Sequence, residues 1–272
     1  MTTTVRQALA RSGLVPVDAH ALLAHAVERD RAWLAAHRDD VLTPAQADAF
    51  FALAQRRHAG EPVAYLTGAR EFWGLPLRVT PAVLIPRPET ETLVELALEW
   101  LPRDGAPRVL DLGTGSGAIA LAIARERPRA RVIATDASAE ALAVARGNAG
   151  RLDIANVAFA ESDWYAGVGD GPWDLIASNP PYVAARDPHL AEGDLRFEPP
   201  AALVAGIDGL DALRTIVAGA PARLAPGGAL VVEHGYDQSE AVQRLLQAAG
   251  FARIVVRRDL AGIPRVAAGR IG

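Results

Sequence analysis

The sequence contains no cysteine and no lysine among its 272 residues, so all 28 basic residues are arginines. Without cysteine, disulfide bonds, thiolate metal sites and cysteine nucleophiles are excluded. Without lysine, a Schiff-base mechanism and the lysine of a phosphate-binding P-loop are excluded as well. No apolar run approaches the ~18 residues of a membrane-spanning helix, and the start Met1–Arg6 lacks the pattern of a secretion signal. We therefore expect a soluble, cytoplasmic protein.

The charge balance is mildly acidic, with a formal net charge of −4 and a sequence pI near 5.9. Such a balance argues against broad binding to nucleic acid or to membrane surfaces, although it does not exclude a local basic patch. Half of the residues are apolar. A chain of this length and composition can bury a sizeable core in one large domain, alone or with a small second domain.

The first part of the chain, residues 1–68, has the pattern of a small helical domain. Thr4 and Pro16 are typical of helix starts, and Thr43-Pro44 precedes a helix that should end at Gly60. Its histidines are at least five residues apart, a spacing that does not place two of them on one helical face as metal ligands. We therefore predict no metal site and interpret them as surface or structural residues: His20, His25, His37 and His58. Whether this domain is a lid, a docking module or a cover stays open.

Residues 69–88 predict a linking β-hairpin, because aromatic and β-branched residues surround Gly74. Pro88 then suits a first helical turn, and acidic residues follow it, so a helix should run to about Trp100. Arg87 lies between two prolines. That arrangement leaves a pocket-lining role open beside a purely capping one.

From Arg108 onward, short apolar strands alternate with amphipathic helices, which is typical of an α/β domain over residues 89–272. Such alternation predicts a mostly parallel sheet with helices on both faces. The segment 258–264 is too short for a helical crossover, so the last two strands should pair antiparallel. The predicted strands are 108–111, 131–136, 157–161, 174–178, 229–233, 252–257 and 265–270, and the predicted helices are 118–127, 139–152, 210–224 and 238–249.

A glycine-rich turn follows the first of these strands and consists of Gly113, Thr114, Gly115, Ser116 and Gly117. Its glycines let a ligand approach bare backbone at a helix N-terminus. Asp136 closes the second strand, 23 positions after Gly113, where a carboxylate can accept hydrogen bonds from ribose hydroxyls. The unit predicts a nucleoside site. Because Gly113-x-Gly115-x-x-Ala118 also satisfies the dinucleotide fingerprint, a nicotinamide cofactor stays open at this point.

Two side chains after the third strand belong to the same sheet edge. Asp163 could accept a hydrogen bond from an adenine amine, and Trp164 could stack on the base. The alternative for Trp164 is a plain anchor in the core.

The fourth strand, which includes Trp173–Ser178, is followed by Asn179-Pro180-Pro181-Tyr182. Prolines cannot continue a strand, and they push the preceding residues towards extended conformations. The result is a stiff loop that holds an amide and an aromatic ring at the edge where open α/β sheets bind ligands.

Asp111–Gly117 together with Asn179–Tyr182 resembles class I S-adenosylmethionine methyltransferases that modify planar, non-basic nitrogens. Four further segments are similar to the peptide chain release factor glutamine methyltransferases (the PrmC/HemK family), which methylate the glutamine of the Gly-Gly-Gln loop in class 1 release factors. The similarity runs from about Gly60 to the C-terminus, and the N-terminal part matches only in length and place. The four segments are 70–77, 84–91, 187–190 and 196–199.

This resemblance implies a Rossmann-like domain with a mixed seven-stranded sheet whose last strand is antiparallel, a small N-terminal helical domain and a linking hairpin. It also implies that Gly113–Gly117 bind the methionine portion of S-adenosylmethionine, Asp136 the ribose and Trp164 the adenine. The substrate glutamine would be held by Asn179, Pro180, Pro181 and Tyr182, with Asn179, Pro180 and Tyr182 in catalytic roles and Asn179 also beside the cofactor. The product would be S-adenosylhomocysteine, and the partner a class 1 release factor.

The chemistry of the loop agrees with these roles. An amide nitrogen is a poor nucleophile because its lone pair is delocalised into the carbonyl. Asn179 Oδ1 and the Pro180 carbonyl can each accept one N–H of the substrate amide, and Tyr182 can pack on it and exclude water. Two alternatives stay open: a methyltransferase for a nucleobase amine, against which the acidic balance weighs, and a non-catalytic nucleoside-binding module.

Overall fold

The computed structural model describes residues 2–169 and 171–272. These residues form two compact units. The first consists of the chain up to Ala69 together with Ala191–Phe197, and the second of Arg70–Leu190 and Glu198–Gly272. The division into residues 1–68, 69–88 and 89–272 stays a prediction from the sequence.

The first unit contains five helices: α1 (Val5–Arg11), α2 (Pro16–Val27), α3 (Arg31–Ala36), α4 (Pro44–His58) and α5 (Val63–Thr67). Thr4 and Thr43 cap α1 and α4 through capping boxes, in which the side chain three residues on bonds back to the cap. Leu22, Leu23 and Phe50 lie fully buried in the core between the helices. The sequence pattern did not predict α3 or α5, because helices of six and five residues are too short to show a period.

The predicted hairpin is present as β1 (Ala69–Phe72) and β2 (Leu75–Arg78), which form a separate two-stranded sheet. Trp73 and Gly74 connect them, both with positive φ. Positive φ at both central residues is the geometry of the tightest hairpin turns. The Trp73 N–H also donates to Glu91 Oε1 at 2.8 Å, which fixes the turn in the second unit.

The main sheet has seven strands in the order β5-β4-β3-β6-β7-β9-β8. Strands β3 to β7 are parallel neighbours, and β9 runs antiparallel to both β7 and β8, as expected for the class I methyltransferase fold. Both the mixed sheet and its antiparallel end are therefore confirmed. The strands are β3 (Arg108–Leu112), β4 (Arg131–Asp136), β5 (Val157–Glu161), β6 (Trp173–Ser178), β7 (Leu224–Glu233), β8 (Ala252–Arg258) and β9 (Pro264–Arg270).

The helices that cover this sheet are α6 (Glu91–Trp100), α7 (Ala118–Glu126), α8 (Ala139–Arg151), α9 (Asp211–Gly219) and α10 (Ser239–Ala248). Three predicted boundaries are wrong, one of them the start of β7, which lies at Leu224 and not at residue 229. The helix expected over 210–224 ends at Gly219, because Pro221 cannot continue it, and Leu224 already begins β7. The helix expected from Pro88 begins as a 3₁₀ turn over Pro88–Thr90 before α6.

The order of the strands brings two loops of interest together. β3 and β6 are parallel neighbours, and their last residues, Leu112 and Ser178, are paired in register. The Ser178 hydroxyl donates to the Leu112 carbonyl at 2.7 Å. The glycine-rich turn and the Asn179 loop therefore begin side by side at the carboxyl edge of the sheet. From β3 the chain adds strands first on one side, as β4 and β5, and then on the other, as β6 and β7, and open α/β sheets bind ligands at such a switch point.

Asn148 on α8 ties three parts of this edge together and carries a stability prediction. Its side chain is fully buried, donates to the Ser116 and Arg78 carbonyls at 2.9 and 3.0 Å, and accepts from the Arg78 N–H at 2.7 Å. Asn148→Ala leaves these backbone groups unpaired, so we expect a loss of about 3 kcal/mol in the free energy of unfolding. Urea unfolding measures it, with Gln247→Ala on the exposed face of α10 as a control within about 0.5 kcal/mol. A loss as small as that of the control would contradict the prediction.

Candidate active site

A cavity of about 460 Å³ lies in the second unit at the carboxyl edge of the sheet. Its walls come from the loops that follow β3, β4, β5 and β6, and from two segments outside the sheet, 81–90 and 199–202. Of the predicted site residues, those on the wall are Gly113, Thr114, Gly115, Ser116, Asp136, Trp164, Asn179 and Pro181. Gly117, Pro180 and Tyr182 do not line it.

The glycine-rich turn provides one wall of the cavity. The Thr114 hydroxyl donates to Asp111 Oδ2 at 2.6 Å and its N–H donates to the Thr135 carbonyl at 2.8 Å, so the turn is held against β3 and β4. Gly115 has φ +55 and open space where a Cβ would be, which leaves its backbone accessible to a ligand. Gly117 serves packing instead, because a Cβ there would lie 3.1 Å from Leu121 and 3.3 Å from Ala145.

Asp136 is held in place by backbone donors. Its Oδ2 accepts from the Gly115 N–H and its Oδ1 from the Ser138 N–H, both at 2.9 Å. A carboxylate oxygen has two acceptor sites, so each oxygen retains one for a ligand. The carboxylate is thereby fixed between the glycine-rich turn and the start of α8 as a ready acceptor on the cavity wall.

Trp164 lines the cavity and is also anchored in the core, and its stacking on an adenine stays a prediction. Its ring packs against the cluster around Leu110 and Ile176, and its Cζ3 lies 3.7 Å from the Cβ position of Gly113. The residue has φ +47, which is uncommon for a bulky side chain, and the Ser162 hydroxyl donates to its carbonyl at 2.7 Å. Asp163 lies beside it on the wall.

Asn179 is the polar group at the end of β6. Its Nδ2 donates to the Thr90 hydroxyl at 3.1 Å, while its Oδ1 is buried and has no hydrogen-bond partner among the described residues. A buried amide oxygen without a hydrogen-bond partner lowers the stability of the fold by about 1–3 kcal/mol. Such an atom therefore indicates a ligand that donates a hydrogen bond to it. Pro181 lines the cavity beside it, and the buried Pro180 separates the two.

Tyr182 turns towards a different partner. Its hydroxyl donates to Glu233 Oε1 at 3.1 Å, and its half-buried ring packs against the cluster that contains Ile176 and Val232. Burial, and then the adjacent Glu233 carboxylate, raises the pKa of Tyr182 far above its usual range. Tyr182 is therefore a neutral hydrogen-bond donor.

Family models match two parts of the chain: the PrmC N-terminal domain over residues 2–68 and the methyltransferase small domain over 90–193. The release factor glutamine methyltransferase of Bordetella pertussis is 55% identical over 268 residues, 98% of this chain and 99% of that protein. That of Burkholderia pseudomallei is 56% identical over 274 residues, 98% and 96% of the two chains. The chain belongs to the release factor glutamine methyltransferase family.

A solved structure shares the fold at lower identity. The T. thermophilus 16S rRNA N2 methyltransferase, in complex with AdoMet and guanosine, superposes with a TM-score of 0.57 at 20% identity. The match covers 75% of this chain and 50% of that one. The second unit of this glutamine methyltransferase therefore has the fold of class I methyltransferases.

Two buried carboxylates of this glutamine methyltransferase were given no role by the sequence pattern. Burial raises the pKa of Asp111 to about 7, against hydrogen bonds from Thr114 and the Ala120 backbone that lower it. Burial likewise raises the pKa of Glu233 to about 7, although the nearby Thr90 and Tyr182 hydroxyls lower it. Tyr182 donates to its Oε1, while its Oε2 is buried and has no hydrogen-bond partner among the described residues. Each stands at or near the end of a buried strand, and an acidic residue after an apolar run is the signal that could have found them.

A third acid, Glu198, holds the segment that precedes α6. Its buried carboxylate accepts from the Ile85 N–H at 3.1 Å and pairs with Arg87. Arg87 is thus engaged within the protein, and its neighbours Pro86 and Thr90 line the cavity instead. Neither Arg87 nor Glu89 is on the wall.

His234 and most of the segment 183–207 lie away from the wall. The sequence left His234 either as a pH switch or, with more weight, as a structural residue. It is fully buried, and its Nδ1 makes a hydrogen bond of 2.8 Å with the Gly235 carbonyl, as a structural residue would. The segment 183–207 folds into three 3₁₀ turns, and of its residues only Pro199, Ala201 and Ala202 line the cavity. Because a loop of this length beside a site more often contacts substrate as a lid than serves as filler, the sequence predicts that role for the segment, and it stays a prediction. No described helix is long and apolar enough to cross a membrane.

Proposed function

We propose that this protein transfers a methyl group from S-adenosylmethionine to the side-chain amide nitrogen (N5) of the glutamine in the Gly-Gly-Gln motif of class 1 peptide chain release factors. The observation that carries the proposal is the Asn179 amide: its nitrogen is held by Thr90, and its buried oxygen has no partner among the described residues. A primary amide that enters the cavity offers the N–H donor that this oxygen lacks. Family membership supports the same substrate.

The acceptors explain how a poor nucleophile is activated. The lone pair of a planar amide nitrogen is delocalised, and methyl transfer requires it to localise on nitrogen. Asn179 Oδ1 on the wall would take one N–H of the glutamine. The carbonyl of the next residue, Pro180, which is off the wall in this structure, would take the other N–H once the glutamine is bound. Two acceptors fixed beforehand stabilise the positive charge that develops on this nitrogen, and each such contact is typically worth ~3–4 kcal/mol.

The cavity suits S-adenosylmethionine. Its volume of about 460 Å³ lies within the usual range for small-molecule sites. The turn Gly113–Ser116, whose backbone is open at Gly115, would hold the methionine portion of the cofactor. The spare acceptor sites of Asp136 would bind the ribose hydroxyls, and Trp164 with Asp163 would contact the adenine. When bound, this cofactor supplies a methyl group on a positively charged sulfur, and it leaves as S-adenosylhomocysteine.

No general base is required at the site. The methylated nitrogen carries an extra, acidic proton that is lost readily, and no histidine is among the described residues on the wall. Tyr182 contributes by bracing the loop through Glu233. Because release factors act at the ribosome, we place the protein in the cytoplasm.

The test uses methyl-labelled S-adenosylmethionine with a class 1 release factor, with the same factor carrying asparagine in place of the motif glutamine, and with ribosomal RNA and DNA. We expect label only in the unaltered factor, located by peptide mass analysis on the glutamine of the motif. Label in nucleic acid alone would overturn the proposal in favour of a nucleobase methyltransferase. No label anywhere would favour a nucleoside-binding module.

A further inference from the structure

The part of the cavity wall that lies outside the sheet carries no charge among the described residues. This outer wall consists of the residues that segments 81–90 and 199–202 contribute to the cavity: prolines, alanines, one valine, one leucine and one threonine. The charged residues on the rest of the wall are acidic, namely Asp136, Glu140 and Asp163. The first ends β4, the second belongs to the first turn of α8, and the third follows β5. Charge is therefore confined to the side of the cavity where the ribose and the adenine are proposed to bind.

An uncharged wall suits an uncharged stretch of peptide. A charged side chain placed against it would lose its hydration and gain no partner in return. The residues that precede the glutamine in the proposed substrate motif are two glycines, which have no side chain and no charge. The loops after β3, β4 and β5 are assigned to the cofactor, so the outer wall is the part of the cavity that remains for the peptide beside the glutamine.

The two segments of the outer wall are joined by Glu198. Its side chain is fully buried, and its carboxylate accepts from the Ile85 N–H at 3.1 Å and pairs with Arg87. We call this set of contacts the Glu198 clasp. The pairing matters at this position, because a buried carboxylate that loses its cation leaves an uncompensated charge in the protein interior. The clasp therefore holds the two segments together.

The Glu198 clasp is directly adjacent to residues of the outer wall. Pro86 lies between Ile85 and Arg87 in the chain. Pro199 follows Glu198, and both prolines line the cavity. Proline fixes its own φ, so a shift of the clasp carries each proline with it. Arg87 and Glu198 themselves do not line the cavity, so their charges stay away from the peptide.

We propose that Arg87 and Glu198 are positioning residues that fix the outer wall against the glycine backbone beside the substrate glutamine. This rests on the proposed function, in which the same glutamine reaches Asn179. The outer wall contacts the peptide and not the reacting nitrogen, so its contacts are the same before and during methyl transfer. Interactions of this kind lower KM for the substrate and leave kcat nearly unchanged. The Glu198 clasp thus sets the affinity for the release factor, whereas Asn179 sets the rate of transfer.

The test measures methyl transfer to a release factor at saturating S-adenosylmethionine in Arg87→Met, which keeps much of the side chain but removes its charge. We expect KM for the factor to rise about tenfold or more, with kcat changed less than about threefold and the dissociation constant for S-adenosylmethionine less than about twofold. Arg87→Lys should recover most of the lost affinity, because the ion pair uses a single guanidinium nitrogen that an ammonium group can replace. Glu198→Gln keeps the shape and an acceptor for the Ile85 N–H but removes the charge, so it should raise KM in the same way.

A release factor with alanine in place of the glycine directly before the glutamine tests whether the outer wall faces that residue. The added methyl group meets a wall that the clasp holds fixed, so the wild-type enzyme should use this factor with a kcat/KM about tenfold lower. In Arg87→Met the wall can yield, so the same change in the factor should lower kcat/KM by about threefold or less. Equal discrimination by the two enzymes would show that the clasp acts away from the peptide, and would overturn the inference.

Arg244→Met is the matched control, because it removes an arginine from an exposed ion pair with Glu240 on α10. It should keep the wild-type KM and the wild-type discrimination between the two factors. A folded Arg87→Met variant with the wild-type KM would overturn the inference, as would a loss confined to cofactor binding, which would assign the outer wall to S-adenosylmethionine. If Arg87→Met does not fold, Glu198→Gln with the two factors decides. If Asn179→Ala is as fast as wild type, the proposed function has failed instead.

Discussion

Replacing Asn179 by alanine is expected to lower kcat by about 100-fold or more while S-adenosylmethionine binds almost as before. The variant removes Oδ1, the buried acceptor without a partner, which the proposed mechanism uses only as charge develops on the substrate nitrogen. Interactions that strengthen in the transition state appear in kcat rather than in binding. The measurement is single-turnover transfer to a release factor, beside calorimetric titration of the cofactor.

The control for Asn179→Ala is Asn179→Asp, which keeps the shape and the acceptor but loses the donor to Thr90. Two acceptors would then face each other, so this variant should also be slow. The prediction requires that Asn179→Ala bind S-adenosylmethionine almost as tightly as the wild type does. If Asn179→Ala abolished the binding of S-adenosylmethionine, Asn179 would belong to the cofactor site and the proposed contact with glutamine would be wrong.

The sequence predicted the second unit well because its signals are local. Each strand of the sheet is a short apolar run bounded by turn residues, and all seven appear within a few residues of the predicted positions except at the start of β7. That strand begins at Leu224 and passes through Pro226 and Gly227, residues that normally end strands. The helices α3 and α5 of the first unit were not predicted, because they are too short to show a helical period in the sequence.

Most of the cavity wall was predictable because most of its residues follow a recognisable strand of the sheet. The glycine-rich turn, Asp136 and Asn179 each belong to a loop whose role can be predicted from its own local sequence. Their supports were not predictable in this way. Thr90 and Asn179 are 89 positions apart, and Tyr182 and Glu233 are 51 apart. These pairs become visible only when the order of β6, β7 and the segment before α6 is known.

Asp136→Ala should have the opposite effect to Asn179→Ala. The carboxylate loses its spare acceptor sites for the ribose, and charge-assisted hydrogen bonds of this kind are worth about 1.5–3 kcal/mol each. We therefore expect S-adenosylmethionine to bind about 100-fold more weakly, while the rate at saturating cofactor falls less than about fivefold. Asp136→Asn, which keeps the shape and one acceptor oxygen, should be intermediate.

A deoxyribose analogue of S-adenosylmethionine separates the ribose contact from a structural effect of Asp136→Ala. The carboxylate also braces the Gly115 and Ser138 N–H groups, so its removal could loosen the turn without any direct contact with the cofactor. If Asp136 accepts from the ribose, the variant and the wild type should bind an analogue without the 2′ and 3′ hydroxyls with similar affinity, because every ribose hydroxyl that the carboxylate could bind is gone. If Asp136 only shapes the turn, the variant should lose as much affinity for the analogue as for the natural cofactor. Equal losses would therefore reject the ribose contact and leave Asp136 as a brace for the glycine-rich turn.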